Sequence, residues 1–132
     1  MRTNRRVAML SMLLFTCLAL PVQAADRIHA GQWEGTTIVG GTTYPMSQCM
    51  SQSDADAING DAKAVEAYLK KITPPEICKI TNVKVDGLQV IYTATCGGGA
   101  AKVVTTTYHG DRSDGTDSAG GKTVAKRVGA CK

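Results

Sequence analysis

The chain has 132 residues, with 15 Lys+Arg against 11 Asp+Glu and a formal charge of +4. That length suits one domain and excludes the large scaffolds of multi-domain enzymes. The charge is no nucleic-acid footprint, because Arg2, Arg5 and Arg6 crowd the first six positions and nothing beyond short groups such as Lys126-Arg127 remains elsewhere.

Residues 1–24 read as a secretory signal peptide. The basic start is followed by an almost wholly apolar run, Val7 to Leu20, and then by Pro21-Val22-Gln23-Ala24 before the expected cut after Ala24, with Ala25 as the next choice. The run is short for a membrane span and has no stop-transfer flank, so no transmembrane segment is expected after cleavage. Cys17 does not suggest a lipoprotein, because Leu14-Phe15-Thr16 lacks the small residue that such processing needs. Cleavage would leave residues 25–132 as a single small β-rich domain in the periplasm, with its net charge lowered to +1 by the loss of three arginines. Its aromatics are then Trp33, Tyr44, Tyr68, Tyr92 and Tyr108, a modest core. Small exported domains with modest cores use disulfides, and four cysteines remain: Cys49, Cys78, Cys96 and Cys131.

In chain order, GQWEGTTIVGG (31–41) predicts a first strand ending in a Gly40-Gly41 turn. TTYPMSQCM (42–50) returns antiparallel, with Pro45 assigning it to a sheet edge or a bulge. Ser53-Asp54 opens a helical stretch, which Asn59-Gly60-Asp61 interrupts. Beyond Asp61, Val65, Tyr68, Leu69 and Ile72 fall on one helical face, and Thr73-Pro74-Pro75 ends it.

Cys78 and Cys96 stand nine positions either side of Gly87. Asp86-Gly87 predicts a type I′ hairpin turn, with Leu88, Val90, Tyr92, Ala94 and Cys96 alternating onto one face. Ile80 and Cys78 are out of phase with Val83 and Val85, and a bulge near Thr81-Asn82 would bring all four onto that face. AKVVTTTY (101–108) is strand-like, HGDRSDGTDSAGGK (109–122) reads as a loop, and TVAKRVGAC (123–131) leans to strand. The hairpin favours Cys78–Cys96, leaving Cys49–Cys131; the competing scheme is Cys49–Cys78 with Cys96–Cys131.

GQWE (31–34), Met46 and Cys49 before an acidic helix start, CKITNVKVDG, VIYTATCGGG, YHGDRSDGT (108–116) and the terminal RVGACK together resemble the domain of unknown function 3617 family, small exported bacterial proteins. The resemblance runs from about Gly31 to Lys132. It implies an exported, mostly β domain, and it brings no catalytic residues to carry over. Members have a further apolar strand after the Gly-Asp motif, whereas Asp114 to Gly121 here is short and polar, which implies a trimmed sheet.

Several motifs resemble chemistry without its requirements. GGKT (120–123) lacks the phosphate-loop glycine, because position 116 is Thr and the glycine stands at 115. DSAGG (117–121) resembles a protease nucleophile region without the scaffold or a placed His-Asp pair. Successive mature cysteines are 29, 18 and 35 positions apart, unlike the close pairs of zinc sites, and His29 and His109 are isolated, so no metal or other cofactor is expected. Gly97-Gly98-Gly99 serves a tight exit from a strand more readily than an anion cradle.

The sequence thus predicts a mainly β fold with a short helical segment: a curled antiparallel sheet of five or six strands, half-barrel or sandwich, stapled by disulfides. The function expected is a non-catalytic periplasmic module that binds a small apolar ligand or another envelope protein. Trp33, Tyr92 and Tyr108 are the candidate binding residues. The alternatives are an inhibitor of an envelope or cell-wall enzyme and a small hydrolase whose carboxylates meet only in three dimensions.

Overall fold

The computed structural model describes residues 26–132. The expected signal peptide, residues 1–24, lies outside the described residues.

Seven strands form one unclosed antiparallel sheet in the order β2-β1-β7-β6-β5-β4-β3. The elements are β1 (Gly31–Val39), β2 (Thr42–Met50), α1 (Gln52–Asn59), α2 (Ala62–Ile72), β3 (Cys78–Asp86), β4 (Gln89–Cys96), β5 (Lys102–Tyr108), β6 (Arg112–Asp117) and β7 (Lys122–Gly129). A single curled sheet is the half-barrel alternative and not the sandwich.

β1 and β2 meet through Gly40-Gly41, both at positive φ (56° and 80°), as a two-residue primed turn demands. Pro45 sits mid-strand in β2, which is an edge of the sheet, so its missing N–H breaks no ladder. The helices begin where side chains cap them. Ser51 Oγ accepts from Asp54 N at 3.2 Å, and Asp61 Oδ1 accepts from Ala64 N at 2.9 Å. The first cap is therefore Ser51, two residues before the expected Ser53. α2 buries Val65, Tyr68 and Leu69 on one face and ends at Thr73, ahead of the prolines. It packs on β3, and its Tyr68 reaches Gln48 of β2, so it lies in the gap between the two free edges.

The expected Asp86-Gly87 turn is one residue out. Asp86 pairs with Gln89, and the turn residues are Gly87 (φ 54°) and Leu88, with positive φ only at the first, as in type II′. Leu88 is therefore an exposed turn residue and not part of the inward face. The register also shifts between Thr81 and Lys84, around Asn82 at φ 53°. That extra residue moves the partner of Cys96 from position 79 to Cys78, which stands directly opposite it.

The loop expected over 109–122 contains β6, paired to both β5 and β7, so the sheet is not trimmed and has seven strands instead of five or six. The bridges are Cys78–Cys96, with Cα atoms 4.0 Å apart, and Cys49–Cys131, at 5.4 Å. The second ties β2 to the chain end beyond β7, while the first closes the β3–β4 hairpin. Among the described residues no helix is long and apolar enough to cross a membrane.

Candidate functional site

The curl gives the sheet a concave face, and chain direction gives it two ends. The N-terminal segment, α1 and the β3–β4 and β5–β6 turns gather at one end. The β1–β2, β4–β5 and β6–β7 turns gather at the other, where α2 finishes.

The first end is plugged. Ile28, Trp33, Ala55 and Ile58 are buried there, and Ile28 bridges to Gly110. Trp33 Nε1 donates to His29 O at 3.0 Å, which fixes the indole in the plug. Arg27, 4 % exposed, holds the plug together. Its Nε donates to Gly87 O at 2.7 Å, and its Nη1 donates to Ile58 O at 2.7 Å and Gly60 O at 2.9 Å. One guanidinium thus satisfies carbonyls at the C-terminus of α1 and in the β3–β4 turn. Just outside, His29 Nδ1 lies 2.9 Å from Asp111 Oδ1 and Nε2 lies 3.4 Å from Asp26 Oδ2, and these carboxylates raise its pKa.

The other end is open. Between α2 and the concave face lies a trough of about 260 Å³. The register explains where the space comes from. Across five strands, one inward row runs Met46–Gly35–Ala125–Ser113–Tyr108. The next row toward the mouth runs Thr37–Thr123–Gly115–Thr106. The first row has large side chains only at its ends, Met46 and Tyr108, and the second has none, so the middle of the sheet does not fill its own curl. Thr37 and Thr123 spend their hydroxyls on each other, 3.1 Å apart.

Gly115 is the informative member of these rows. Glycine in a strand interior weakens the strand. Here neither of the usual reasons applies. Its φ is not positive, and the nearest atoms a Cβ would meet are Thr106 Oγ1 at 3.4 Å, Thr123 Cβ at 3.5 Å and Thr105 O at 3.8 Å, ordinary contact distances. Gly35 differs: a Cβ there would lie 2.0 Å from Val124 O, so backbone packing requires that glycine.

The walls are aromatic and sulfur-bearing. Tyr68 comes from α2, Tyr92 from β4, Tyr108 from β5, and Met46 and Met50 from β2. Burial raises the pKa of all three tyrosines, most strongly that of Tyr108, and Tyr92 and Tyr68 each raise Tyr108 further, so the Tyr108 hydroxyl sits in the field of the other two. Val39 and Ile72, both about half exposed, stand at the mouth with Asp117 and Lys122. Asp117 Oδ1 accepts from Ala119 N at 2.7 Å and Gly121 N at 3.1 Å, and these bonds lower its pKa. The GGKT stretch is therefore the tail of a tight turn that Asp117 organises.

All three sequence candidates line the trough: Trp33 at its floor, Tyr108 deep on β5 and Tyr92 nearer the mouth. Sequence reasoning placed Tyr68 on a helix face without a site, and passed over Gln48, Met50 and the small residues Ser113, Gly115 and Ala125. An alternation of Ser113, Gly115 and Asp117 was the available signal, but it carries no hydrophobic period. A second, shallower groove of about 420 Å³ runs between α2 and β3 past Lys70, Lys79 and Asn82. It has no aromatic wall and lies open on the surface. Among the described residues, no group of three or more His, Cys, Asp or Glu side chains is placed to hold a metal ion.

Fold and trough together define a class of protein: a disulfide-held, curled antiparallel sheet with a helix in its open side and an aromatic trough between them. The family described as protein of unknown function (DUF3617) matches residues 28–131, and the chain belongs to it. No curated protein and no solved structure matches the chain.

Proposed function

We propose that this is a periplasmic protein, exported by residues 1–24 and cut after Ala24, whose trough holds a small, largely apolar molecule without transforming it. The observation that carries this reading is the inward row of small residues around Gly115, a glycine that neither φ nor packing requires. A sheet that gives up strand stability to keep a volume clear is organised around an occupant. Two disulfides within the domain support an oxidising compartment.

The hydrolase alternative needs convergent carboxylates. Among the described residues, Asp117 is the one carboxylate that lines the trough, and the turn uses it. His29 and His109 are exposed and belong to neither wall of the trough.

The test is recovery of the protein from the periplasmic fraction, N-terminal sequencing, and mass spectrometry of a solvent extract. The reading expects Ala25 at the new terminus and a small molecule that is depleted in extracts of Gly115→Leu. A chain that keeps residues 1–24, or extracts identical between the two proteins, would contradict it.

A further inference from the structure

We infer that the trough selects a flat, neutral molecule whose apolar body carries a hydrogen-bond-accepting carbonyl oxygen, in preference to a carboxylate or an amine of the same shape; this rests on the binding reading above. The first argument is charge. Among the described residues, the charged ones lining the trough are Asp117 and Lys122, both at the mouth. The carboxylate of Asp117 is occupied by the amides of its own turn. Arg27 does not line the trough, and three carbonyls take its Nε and Nη1. An ionised head pushed past the mouth would lose water and leave Lys122 and Asp117 behind at the rim, with no charged side chain in the wall beyond them, which is costly.

The second argument is the polar groups that do face the interior. Tyr68, Tyr92 and Tyr108 bring three phenols to one space from three different elements. All three are protonated at neutral pH, and a protonated phenol is a neutral group that can donate as well as accept. Tyr68 has Gln48 beside it and Tyr108 has Thr106, while Tyr92, half-buried on β4, reaches the trough nearer its mouth. A phenol in the trough wall that loses its water to a bound ligand is costly to leave unpaired, so a ligand oxygen that accepts from it gains relative to an isostere that cannot.

The third argument is shape. A cavity of about 150 Å³ holds benzene, so the 260 Å³ here suits a bicyclic ring with a small substituent. Met46 and Met50 give such a ring a soft, polarisable wall.

Four naphthalenes on one skeleton separate the possibilities: 2-acetylnaphthalene, 2-ethylnaphthalene, 2-naphthoate and 2-(aminomethyl)naphthalene. Each is titrated into the oxidised domain by calorimetry. The ketone is expected to bind about tenfold tighter than the ethyl compound, the value of one good hydrogen bond. The acid and the amine are expected to bind at least about a hundredfold more weakly than the ketone. In the Tyr92→Phe and Tyr108→Phe double variant the ketone's advantage should shrink to about two- to threefold, while ethylnaphthalene binding in the same variant reports an intact trough. A ketone no better than its ethyl isostere, or naphthoate bound as tightly as the ketone, overturns the selectivity. Failure of all four to bind overturns the binding reading itself.

Discussion

Gly115→Val should stabilise the domain. Valine adds three carbons to a position whose Cβ meets nothing closer than 3.4 Å, in a backbone conformation open to any residue. Each buried carbon contributes about 0.8 kcal/mol, and removing a mid-strand glycine adds about 0.5–1 kcal/mol. Against this stand lost side-chain entropy of roughly 0.5 kcal/mol and incomplete contact, since valine does not fill the trough. The net expectation is about 1–2 kcal/mol, or a rise in Tm of roughly 5–10 °C for a domain of this size. Thermal unfolding followed by circular dichroism at fixed pH, with both disulfides intact, measures it. Gly35→Ala is the contrast: its Cβ would meet Val124 O at 2.0 Å and Ala125 Cα at 2.7 Å, so a loss above about 2 kcal/mol is expected from forced backbone movement. A fall in Tm for Gly115→Val comparable to that of Gly35→Ala would show that the space beside Gly115 is needed for packing, and the trough would lose its structural basis.

Arg27→Met should cost about 3 kcal/mol, because the Ile58, Gly60 and Gly87 carbonyls lose a charged donor; urea unfolding would detect it, and a change under 1 kcal/mol would mean that water replaces the guanidinium freely. Reduction should unfold the domain near 37 °C. The Cys49–Cys131 bridge, with a sequence separation of 82, should contribute about 4 kcal/mol and Cys78–Cys96, with 18, about 3 kcal/mol, so Cys49→Ser/Cys131→Ser should be the less stable double variant. His29 has a folded pKa raised by Asp111 and Asp26, so its stabilisation is complete below the unfolded value and is lost as pH rises through the folded one. Tm should therefore fall from about pH 6 to pH 8 by more in the native protein than in His29→Gln; equal slopes would place the pH response elsewhere.

Most strands were legible because one of their faces is buried. β1, β4 and β5 announce themselves through Trp33, Val90, Tyr92 and Val104 at period two. β6 did not, and the reason is the trough. Its inward residues, Ser113, Gly115 and Asp117, face a trough, and its outward residues, Arg112, Asp114 and Thr116, face solvent. With neither face apolar, a strand paired on both sides reads as a loop. The Asp-Gly signal located the hairpin but misplaced its turn by one residue. The bulge at Asn82 makes up the difference, which is why the two cysteines are symmetric about Gly87 although the turn lies between Gly87 and Leu88. Of the site, the aromatic residues were legible and the small ones were not, because an inward glycine has no pattern of its own. Arg27 escaped notice because a charge so near the expected cleavage point reads as solvated, whereas its side chain is buried against three backbone carbonyls.

The central claim is that the curl keeps a ligand-sized volume clear beside Gly115. Titration with N-phenyl-1-naphthylamine, a neutral apolar fluorophore, tests it most directly. The native domain should give saturable enhancement at one site per chain. Gly115→Leu should lose that binding while its circular dichroism and Trp33 emission stay native. Undiminished binding in Gly115→Leu, or no saturable binding in the native domain, would contradict the account.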